Sequence, residues 1–312
     1  MNSTKNTFEM IEPYLVAYYA FSLIILGTIF NIFNLIIFSR GKFRETNERP
    51  TIHYMRAIAV MDILMLYGWN LDHYSLTVHG YMLWSKSIVA CKILMFINYF
   101  APQTSAWLRV FICLDRYLSL SRLYRTWFGH SKNVLRIIFA IVIVFAIFNV
   151  HLFVLTCGYN RQGLIIPEME RFDLFPLWDW VNLGLYNCVP FILMVSLNSA
   201  VIYHLVILRR SSTIQNSRLQ HRSISITLLI TTILFMIFTI PPTISYGFFA
   251  DKMNISVLHL LDSLMYTYHV IAFPLYLISF GEFRQEFFKL ISKRSHTSRI
   301  QPQIGLTKTT VA

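Results

Sequence analysis

Long apolar runs separated by short polar segments dominate the chain. A helix needs about 20 apolar residues to cross the hydrocarbon layer of a bilayer, because that layer is about 30 Å thick and each residue adds 1.5 Å. Unpaired backbone amides are costly in lipid, so the expected fold is an all-α helix bundle. We predict seven spans, at 14–39, 52–78, 87–119, 133–155, 177–208, 223–249 and 256–280.

The composition agrees with a chain that lives in lipid. Apolar residues make up 55% of it and charged residues only 13%, whereas a soluble domain carries about a quarter charged residues. This balance argues against a water-soluble enzyme, a disordered chain and a disulfide-rich secreted module. The first apolar run is too long for a signal peptide and lacks its basic flank, so we expect it to be retained.

Basic residues are concentrated on one side of the predicted bundle. Of the 27 Lys and Arg, 19 lie inside if the amino terminus is outside, 6 lie outside and 2 fall within the third span. This bias predicts a multi-pass plasma-membrane protein with an extracellular N-terminus at 1–13. Sequons at Asn2 and Asn254 fall on the outer side and predict glycosylation there. The net charge of +12 indicates acidic lipid headgroups and an intracellular partner, and not nucleic acid.

Two of the four cysteines are predicted to lie at the outer side. Cys91 begins the third span and Cys157 follows the fourth. An oxidising compartment favours a disulfide between them, the alternative being two free thiols. Cys113 and Cys188 lie deep in predicted spans, where we expect small buried hydrophobic side chains.

The third span carries an unusual set of polar residues. Asn98, Ser105, Arg109 and Arg116 fall on one helical stripe about 40° wide. Polar and ionisable residues within a span normally face the interior of a bundle. We therefore expect this stripe to be the functional axis of the protein.

Both arginines of the stripe need partners. Arg116 lies at the predicted inner end, where its neighbour Asp115 can hold it by a charge-assisted contact. Arg109 lies two turns deeper, and Asp62 in the second span is at a matching depth. We predict an Asp62–Arg109 pair. The alternative is that Arg109 reaches inner-side water while Asp62 binds a water cluster.

Several spaced motifs carry a family resemblance. Asp115-Arg116-Tyr117 ends the third span, and Trp84 precedes Cys91 by seven residues. The other motif positions are Asn31, Asp62, Pro190, Phe235, Pro241 and Tyr276. Over about 25–295, this spacing resembles the rhodopsin-like, or class A, G-protein-coupled receptors.

The resemblance implies partners, a mechanism and no cofactor or catalytic residue. Asp115, Arg116 and Tyr117 would couple to a heterotrimeric G protein, with arrestin as a further partner. An extracellular ligand would shift the population between two packings, with the fifth and sixth spans swinging at Pro190 and Pro241. The seven-transmembrane domain would cover 14–280, followed by an amphipathic eighth helix at 281–292 and a cytoplasmic tail at 293–312. The implied activation core comprises Asn31, Asp62, Ser105, Arg109, Phe235, Pro241 and Tyr276.

Departures from the family pattern change some expectations. Thr239 stands where the sixth span usually has tryptophan, and Ala272-Phe273-Pro274 replaces the usual Asn-Pro of the seventh. Arg109 and His269 near Asp62 argue against a bound sodium ion, so no metal is expected. No acidic residue lies at the inner end of the sixth span to restrain Arg116.

The residues predicted in the outer half of the bundle limit the chemical class of the ligand. The seventh span has no lysine for a retinal Schiff base, and Asn98 occupies the place of the aspartate that amine receptors use. Two carboxylates on the pocket side suggest a ligand with positive charge, such as a peptide with an arginine. The alternative is that both carboxylates bind water or cap outer loops. The candidate ligand-binding residues are Asp72, Asn98, Tyr99, Tyr246, Asp262 and Tyr266.

Two segments, 38–44 and 283–287, resemble those of invertebrate neuropeptide receptors, including the FMRFamide group. We therefore expect a neuropeptide receptor, with a chemosensory receptor for small molecules as the alternative. A transporter or channel is a remote alternative, because no inverted repeat is visible. The histidines form no metal-ligand cluster, which argues against an intramembrane enzyme.

Overall fold

A computed structural model of the chain describes residues 2–44, 50–120, 130–168, 177–210, 215–249 and 252–292. The predicted tail at 293–312 and the side chain of Asn2 lie outside the described residues.

The described residues form twelve α-helices and one small hairpin. In chain order the helices are α1 (Asn2–Phe38), α2 (Thr51–Leu66), α3 (Trp69–His79), α4 (Ile88–Leu120), α5 (Ser131–Phe148), α6 (Leu152–Leu155), α7 (Leu177–Asn182), α8 (Val189–Arg210), α9 (Gln215–Phe249), α10 (Ile255–Tyr268), α11 (Ala272–Ser279) and α12 (Gly281–Ser292). A π-helical segment, Leu183–Cys188, joins α7 to α8, and 3₁₀ turns occupy Gly41–Phe43 and Leu83–Lys86.

These helices make the seven predicted spans, and the all-α seven-helix bundle is confirmed. The first, third and sixth spans are α1, α4 and α9, and the fourth is α5 with the short α6. The second, fifth and seventh spans are each interrupted and consist of two helices: α2 with α3, α7 with α8, and α10 with α11. The third span is central, because α4 packs against α2, α5 and α8.

Four helical stretches of the described residues are long and apolar enough to cross a membrane. They are Ile11–Phe38, Ser131–Leu155, Leu177–His204 and Leu229–Phe249, in the first, fourth, fifth and sixth spans. The second, third and seventh spans are less apolar because they carry buried polar residues such as Asp62, Arg109 and His269. Those residues face the interior of the bundle, as costly polar groups in a span normally do.

The second and seventh spans contain breaks that we had not predicted. At Gly68 a Cβ atom would lie 3.0 Å from Asn98 Oδ1, so a larger residue there would require the Asn98 side chain to shift. In the seventh span, Pro274 has no N–H to donate to the carbonyl of Val270, four residues earlier. The first span also differs, because α1 begins at Asn2 and not near residue 14.

The interruption of the fifth span has a similar cause. Pro190 is the second residue after the π-helical segment, and proline cannot donate to the carbonyl of Tyr186. A π-helical turn inserts an extra residue and shifts the hydrogen-bond pattern, which is a recognised cause of a bend. The predicted kink at Pro190 is therefore accompanied by a wider turn on its amino-terminal side.

One end of the bundle carries the hairpin. Strand β1 (Thr156–Tyr159) pairs antiparallel with β2 (Ile165–Glu168), and a disulfide joins Cys157 of β1 to Cys91 of α4. This is the pairing that the sequence favours. Trp84, from the 3₁₀ turn, packs against this bridge. We call this the disulfide end of the bundle.

The opposite end carries α12 and is called the α12 end. Phe283 is fully buried against Phe38 and Tyr276, whereas Phe288 and Ile291 are more than half exposed. An exposed apolar face on a polar helix is typical of a helix that lies in the membrane interface. The short amphipathic eighth helix is thus present where it was predicted.

Candidate functional site

A buried polar cluster lies in the middle of the bundle and is centred on Asp62. Its carboxylate accepts hydrogen bonds from side chains of the third and seventh spans, and we call Asp62, Ser105, Arg109, Tyr268 and His269 the Asp62 cluster. Arg109 Nη2 lies 2.7 Å from Asp62 Oδ2, and Ser105 Oγ donates to Oδ1 at 2.7 Å. His269 Nδ1 lies 2.8 Å from the same Oδ1. The second, third and seventh spans are therefore joined at one carboxylate.

The structure brings together the pair that we had predicted from depth along the helices. Asp62 is 0% exposed and Arg109 is 8% exposed. The guanidinium therefore does not extend to water at the α12 end, which was the alternative to the pair. Arg109 also donates to Ser105 Oγ and lies 4.9 Å from the centre of the Tyr268 ring. A cation over an aromatic face gains about 0.5–2 kcal/mol.

The Arg109 guanidinium lies directly beside the Asp62 carboxylate. Its charge repels another cation, and its hydrogen bond uses Asp62 Oδ2. No group of three metal-ligating side chains occurs among the described residues. The arrangement supports the expectation that Asp62 pairs with a side chain.

Asn31 ties the first span to the break in the seventh. Its Nδ2 donates to the carbonyls of Gly27 and His269, each at 3.0 Å. The His269 carbonyl lies in the break between α10 and α11, so Asn31 satisfies a backbone acceptor there. Sequence reasoning had placed Asn31 in the activation core without identifying this partner.

The Asp-Arg-Tyr motif lies at the α12 end of α4. Arg116 Nη2 donates to Thr51 Oγ1 at 2.6 Å, and Thr51 Oγ1 donates in turn to Asp115. Arg116 is 8% exposed, and the Tyr117 ring lies 5.7 Å from that of His204 on α8. Thr51 was missed because a threonine at the start of a span carries no sequence signal for this role.

The remaining predicted core residues form aromatic contacts at two levels. Phe235 of α9 is fully buried and packs edge-on against Tyr186 and Tyr268, with ring centres 5.6 and 5.4 Å apart. Tyr276 packs near the α12 end against Phe38 at 5.5 Å. Pro241 lies inside α9 beside Pro242.

A polar ladder joins the fifth and sixth spans where an aromatic residue is usual. Thr239 Oγ1 donates to Asn187 Oδ1 at 2.6 Å, and Asn187 Nδ2 donates to Thr243 Oγ1 at 2.8 Å. Asn187 belongs to the π-helical segment. Asn198 adds a second link between these spans, donating to Thr232 Oγ1 at 2.9 Å.

A cavity of about 230 Å³ opens between the helices toward the disulfide end. Pro167 of β2 contributes to its wall, so the disulfide also positions part of the cavity. The described lining residues are Met65, Trp69, Met95, Asn98, Tyr99, Pro102, Pro167, Asp179, Asn182, Tyr186, Thr243, Tyr246, Asp262 and Met265.

Four of the six predicted ligand-binding candidates line this cavity: Asn98, Tyr99, Tyr246 and Asp262. Tyr266 lies behind the wall, where its hydroxyl donates to Asn98 Oδ1 at 3.3 Å. Asp72 is also outside the lining, and its Oδ1 accepts from the backbone N–H of Leu83 at 2.5 Å. The alternative interpretation, a carboxylate that caps an outer loop, therefore describes Asp72.

Asp179 is a cavity residue that we had not predicted. It belongs to α7 and accepts a hydrogen bond from Tyr99 at 3.0 Å. Its position between Trp178 and Trp180 at the start of a span was the available signal.

Tyr186 connects the cavity to the Asp62 cluster. It lines the cavity, and its hydroxyl lies 3.4 Å from His269 Nε2. A carboxylate only accepts, so His269 Nδ1 donates to Asp62, while Nε2 on the other side of the same ring faces the Tyr186 hydroxyl. A change in the cavity wall can thus reach Asp62 through two side chains.

Comparison with known proteins gives a match between part of the chain and one protein-family model. Residues 18–168 match the family model described as serpentine type 7TM GPCR chemoreceptor Srw. The match covers just under half of the chain, from the first span to the hairpin. It supports a G-protein-coupled receptor. No curated protein matches the chain significantly.

The matched family bears on two of our expectations. Its description names chemoreceptors, so it favours the chemosensory alternative over the neuropeptide receptor that we expected first. It is a family of receptors that span the membrane several times, and the chain is accordingly a multi-pass membrane protein.

Proposed function

We propose that this protein is a chemosensory G-protein-coupled receptor of the plasma membrane. A small molecule would bind in the cavity, and a heterotrimeric G protein would bind at the α12 end. The match to a chemoreceptor family supports the class. The observation that carries the proposal is the position of Tyr186, which lines the cavity and contacts His269 of the Asp62 cluster.

The size of the cavity favours a small ligand over a peptide. Its volume of about 230 Å³ is below the roughly 300–1,000 Å³ typical of pockets for drug-sized molecules. The neuropeptide interpretation depends on two short segments, 38–44 and 283–287, which lie near the α12 end, and on the two carboxylates predicted on the pocket side, of which only Asp262 lines the cavity. We therefore favour the small-molecule alternative.

The orientation that we propose places the disulfide end outside the cell. Disulfides persist in oxidising compartments, and the predicted cytoplasmic cations include Arg56 and Arg136. Arg56 Nε donates to the carbonyl of Phe38 at 3.1 Å, where α1 ends and leaves carbonyls without helical partners. Asn254 is exposed at the start of α10, which suits the proposed glycosylation.

Activation is proposed as a shift between two packings of the bundle. A ligand that binds one packing more tightly increases its population in proportion to that difference in affinity. Tyr186 and Phe235 are in direct contact, so a displaced Tyr186 changes the packing of α9. Pro190, Pro241 and the π-helical segment supply the bends at which the fifth and sixth spans would swing.

Coupling is assigned to the Asp-Arg-Tyr motif, by resemblance to the rhodopsin-like receptors. In the structure Arg116 is held by Thr51, which also binds Asp115. Release from these contacts would free the guanidinium to bind the G protein, and arrestin is a further proposed partner of the same end. Charged hydrogen bonds of this kind contribute about 1.5–3 kcal/mol each.

The test measures nucleotide exchange on a purified G protein by the receptor in lipid nanodiscs. A broad panel of small molecules and a library of amidated peptides are compared as stimuli. We expect stimulation by small molecules, with loss of about tenfold or more in the rate for Arg116→Ala. The matched control is Arg136→Ala, which removes an exposed arginine from α5 and should leave the response intact.

Two results would refute the proposal. Stimulation by peptides alone would restore the neuropeptide interpretation. An unchanged response in Arg116→Ala at normal surface expression would remove Arg116 from coupling.

A further inference from the structure

Asp262 lines the cavity with part of its hydrogen-bonding capacity unused. Only 5% of its side chain is accessible. Its Oδ2 accepts from the Tyr246 hydroxyl at 2.6 Å and lies 3.3 Å from His73 Nε2. Its Oδ1 accepts a hydrogen bond from no residue that the structure describes. A carboxylate can accept about four hydrogen bonds, so Asp262 Oδ1 has capacity left for a donor in the cavity.

The charged side chains among the described residues of the cavity wall are both carboxylates, so the wall is negative. Asp179 adds a second carboxylate from α7. Among the described residues that line the cavity there is no lysine or arginine. Charge interactions are stronger away from bulk water, so the wall favours a cation and disfavours an anion.

Aromatic rings and flexible apolar side chains supply the rest of the wall. A cation over an aromatic face gains about 0.5–2 kcal/mol, and methionine adapts to irregular shapes. The residues that provide these surfaces are Trp69, Tyr99, Tyr186, Tyr246, Met65, Met95 and Met265. The wall thus combines carboxylate oxygens with surfaces suited to an apolar body.

We infer that the cavity binds a small organic cation, with the Asp262 carboxylate as its counter-ion and Asp179 as a second acidic contact. The inference rests on the proposed function and specifies the ligand class of that site. Sequence reasoning had argued against an amine because Asn98 replaces an aspartate in the third span. In the structure the fifth and seventh spans supply carboxylates to the cavity instead. An amine ligand is therefore possible although position 98 carries an asparagine and not an aspartate.

The experiment uses two sets of probes, in each of which the apolar part of the molecule is similar and the charge of the polar group differs. The full-length receptor in nanodiscs is titrated with 2-phenylethylamine, 2-phenylethanol and 3-phenylpropanoate, and with hexylamine, hexanol and hexanoate. The Kd of each probe is obtained from the ligand-induced rise in the thermal unfolding temperature. We expect each amine to bind at least about tenfold more tightly than its alcohol, and the carboxylates to bind weakest.

The variants separate a counter-ion from a structural role. Asp262→Asn keeps the size of the side chain and an acceptor for Tyr246, and should weaken amine binding by about 30-fold or more. Alcohol binding should be retained, which a misfolded receptor would not allow. The matched control is Asp72→Asn, because this buried carboxylate lies outside the cavity lining and Asn can still accept from Leu83. It should keep the preference for amines.

The outcomes distinguish this inference from the proposed function. The inference is overturned if alcohols or carboxylates bind as tightly as amines, if no probe binds, or if Asp262→Asn leaves the amine preference unchanged. Amines that bind selectively without stimulating nucleotide exchange would contradict the proposed function alone. A neutral stimulus that drives exchange through the wild-type cavity, with no amine bound, would contradict the inference alone.

Discussion

The Asp62–Arg109 pair can be tested through its energetic coupling. Asp62→Asn removes the charge that faces Arg109 at 2.7 Å while keeping the shape of the side chain. Arg109 is 8% exposed, so its charge would be left buried with Ser105 and the Tyr268 ring as its remaining contacts. Breaking a buried ion pair from one side costs about 3–5 kcal/mol.

The reverse change leaves a different charge buried. In Arg109→Leu, Asp62 keeps the hydrogen bonds from Ser105 and His269, but its charge loses the opposing guanidinium. The double variant Asp62→Asn/Arg109→Leu carries neither charge. It should therefore be more stable than the sum of the two single effects predicts, by about 2 kcal/mol or more.

The assay is a double-mutant cycle on the free energy of unfolding, measured by chemical denaturation of the purified protein in mixed micelles. The control cycle combines Asp62→Asn with Arg136→Leu, because Arg136 lies on the exposed face of α5. These two changes should add within about 0.5 kcal/mol. If Asp62 and Arg109 add equally well, the pair makes no contribution and the argument from their geometry fails.

Three further changes test other parts of the fold. Gly27→Ala should lower stability by about 1–3 kcal/mol, because its Cβ would lie 2.4 Å from Leu66 Cδ1; an unchanged unfolding temperature would contradict this close packing. Cys91→Ser should cost about 2–4 kcal/mol and weaken ligand binding, as thermal unfolding and Kd would reveal, whereas Cys188→Ala should do neither, because the structure leaves this free cysteine exposed. Thr239→Val removes the hydroxyl that serves Asn187, so denaturation should report a loss of about 1–3 kcal/mol; equal stability would exclude the polar ladder as a link.

Some contacts of the site could be predicted because they depend on depth along helices. Arg109 and Asp62 were matched by their distances from the ends of their spans, and helices of regular rise preserve that information. Cys91 and Cys157 were matched by their side of the membrane. These arguments need only the positions of the spans, which the apolar runs specify.

Other contacts depend on how the spans are rotated and offset, which no single span encodes. Asp72 and Asp179 are both carboxylates near the same end of the bundle. Only the packed structure places Asp179 in the cavity wall and turns Asp72 toward the N–H of Leu83. Thr51 likewise acquires its role because α2 begins beside the end of α4, where Arg116 and Asp115 lie.

The sequence by itself determined the number of spans, their membrane character and the few buried charges. The length of an apolar run and the free-energy cost of a charge within it can both be read from one segment of the chain. Tertiary structure decided which carboxylates enter the cavity, where the second and seventh spans break, and that Tyr186 joins the cavity to His269. These features depend on partners in neighbouring helices, because a buried polar group takes whichever donor or acceptor the packing brings within reach.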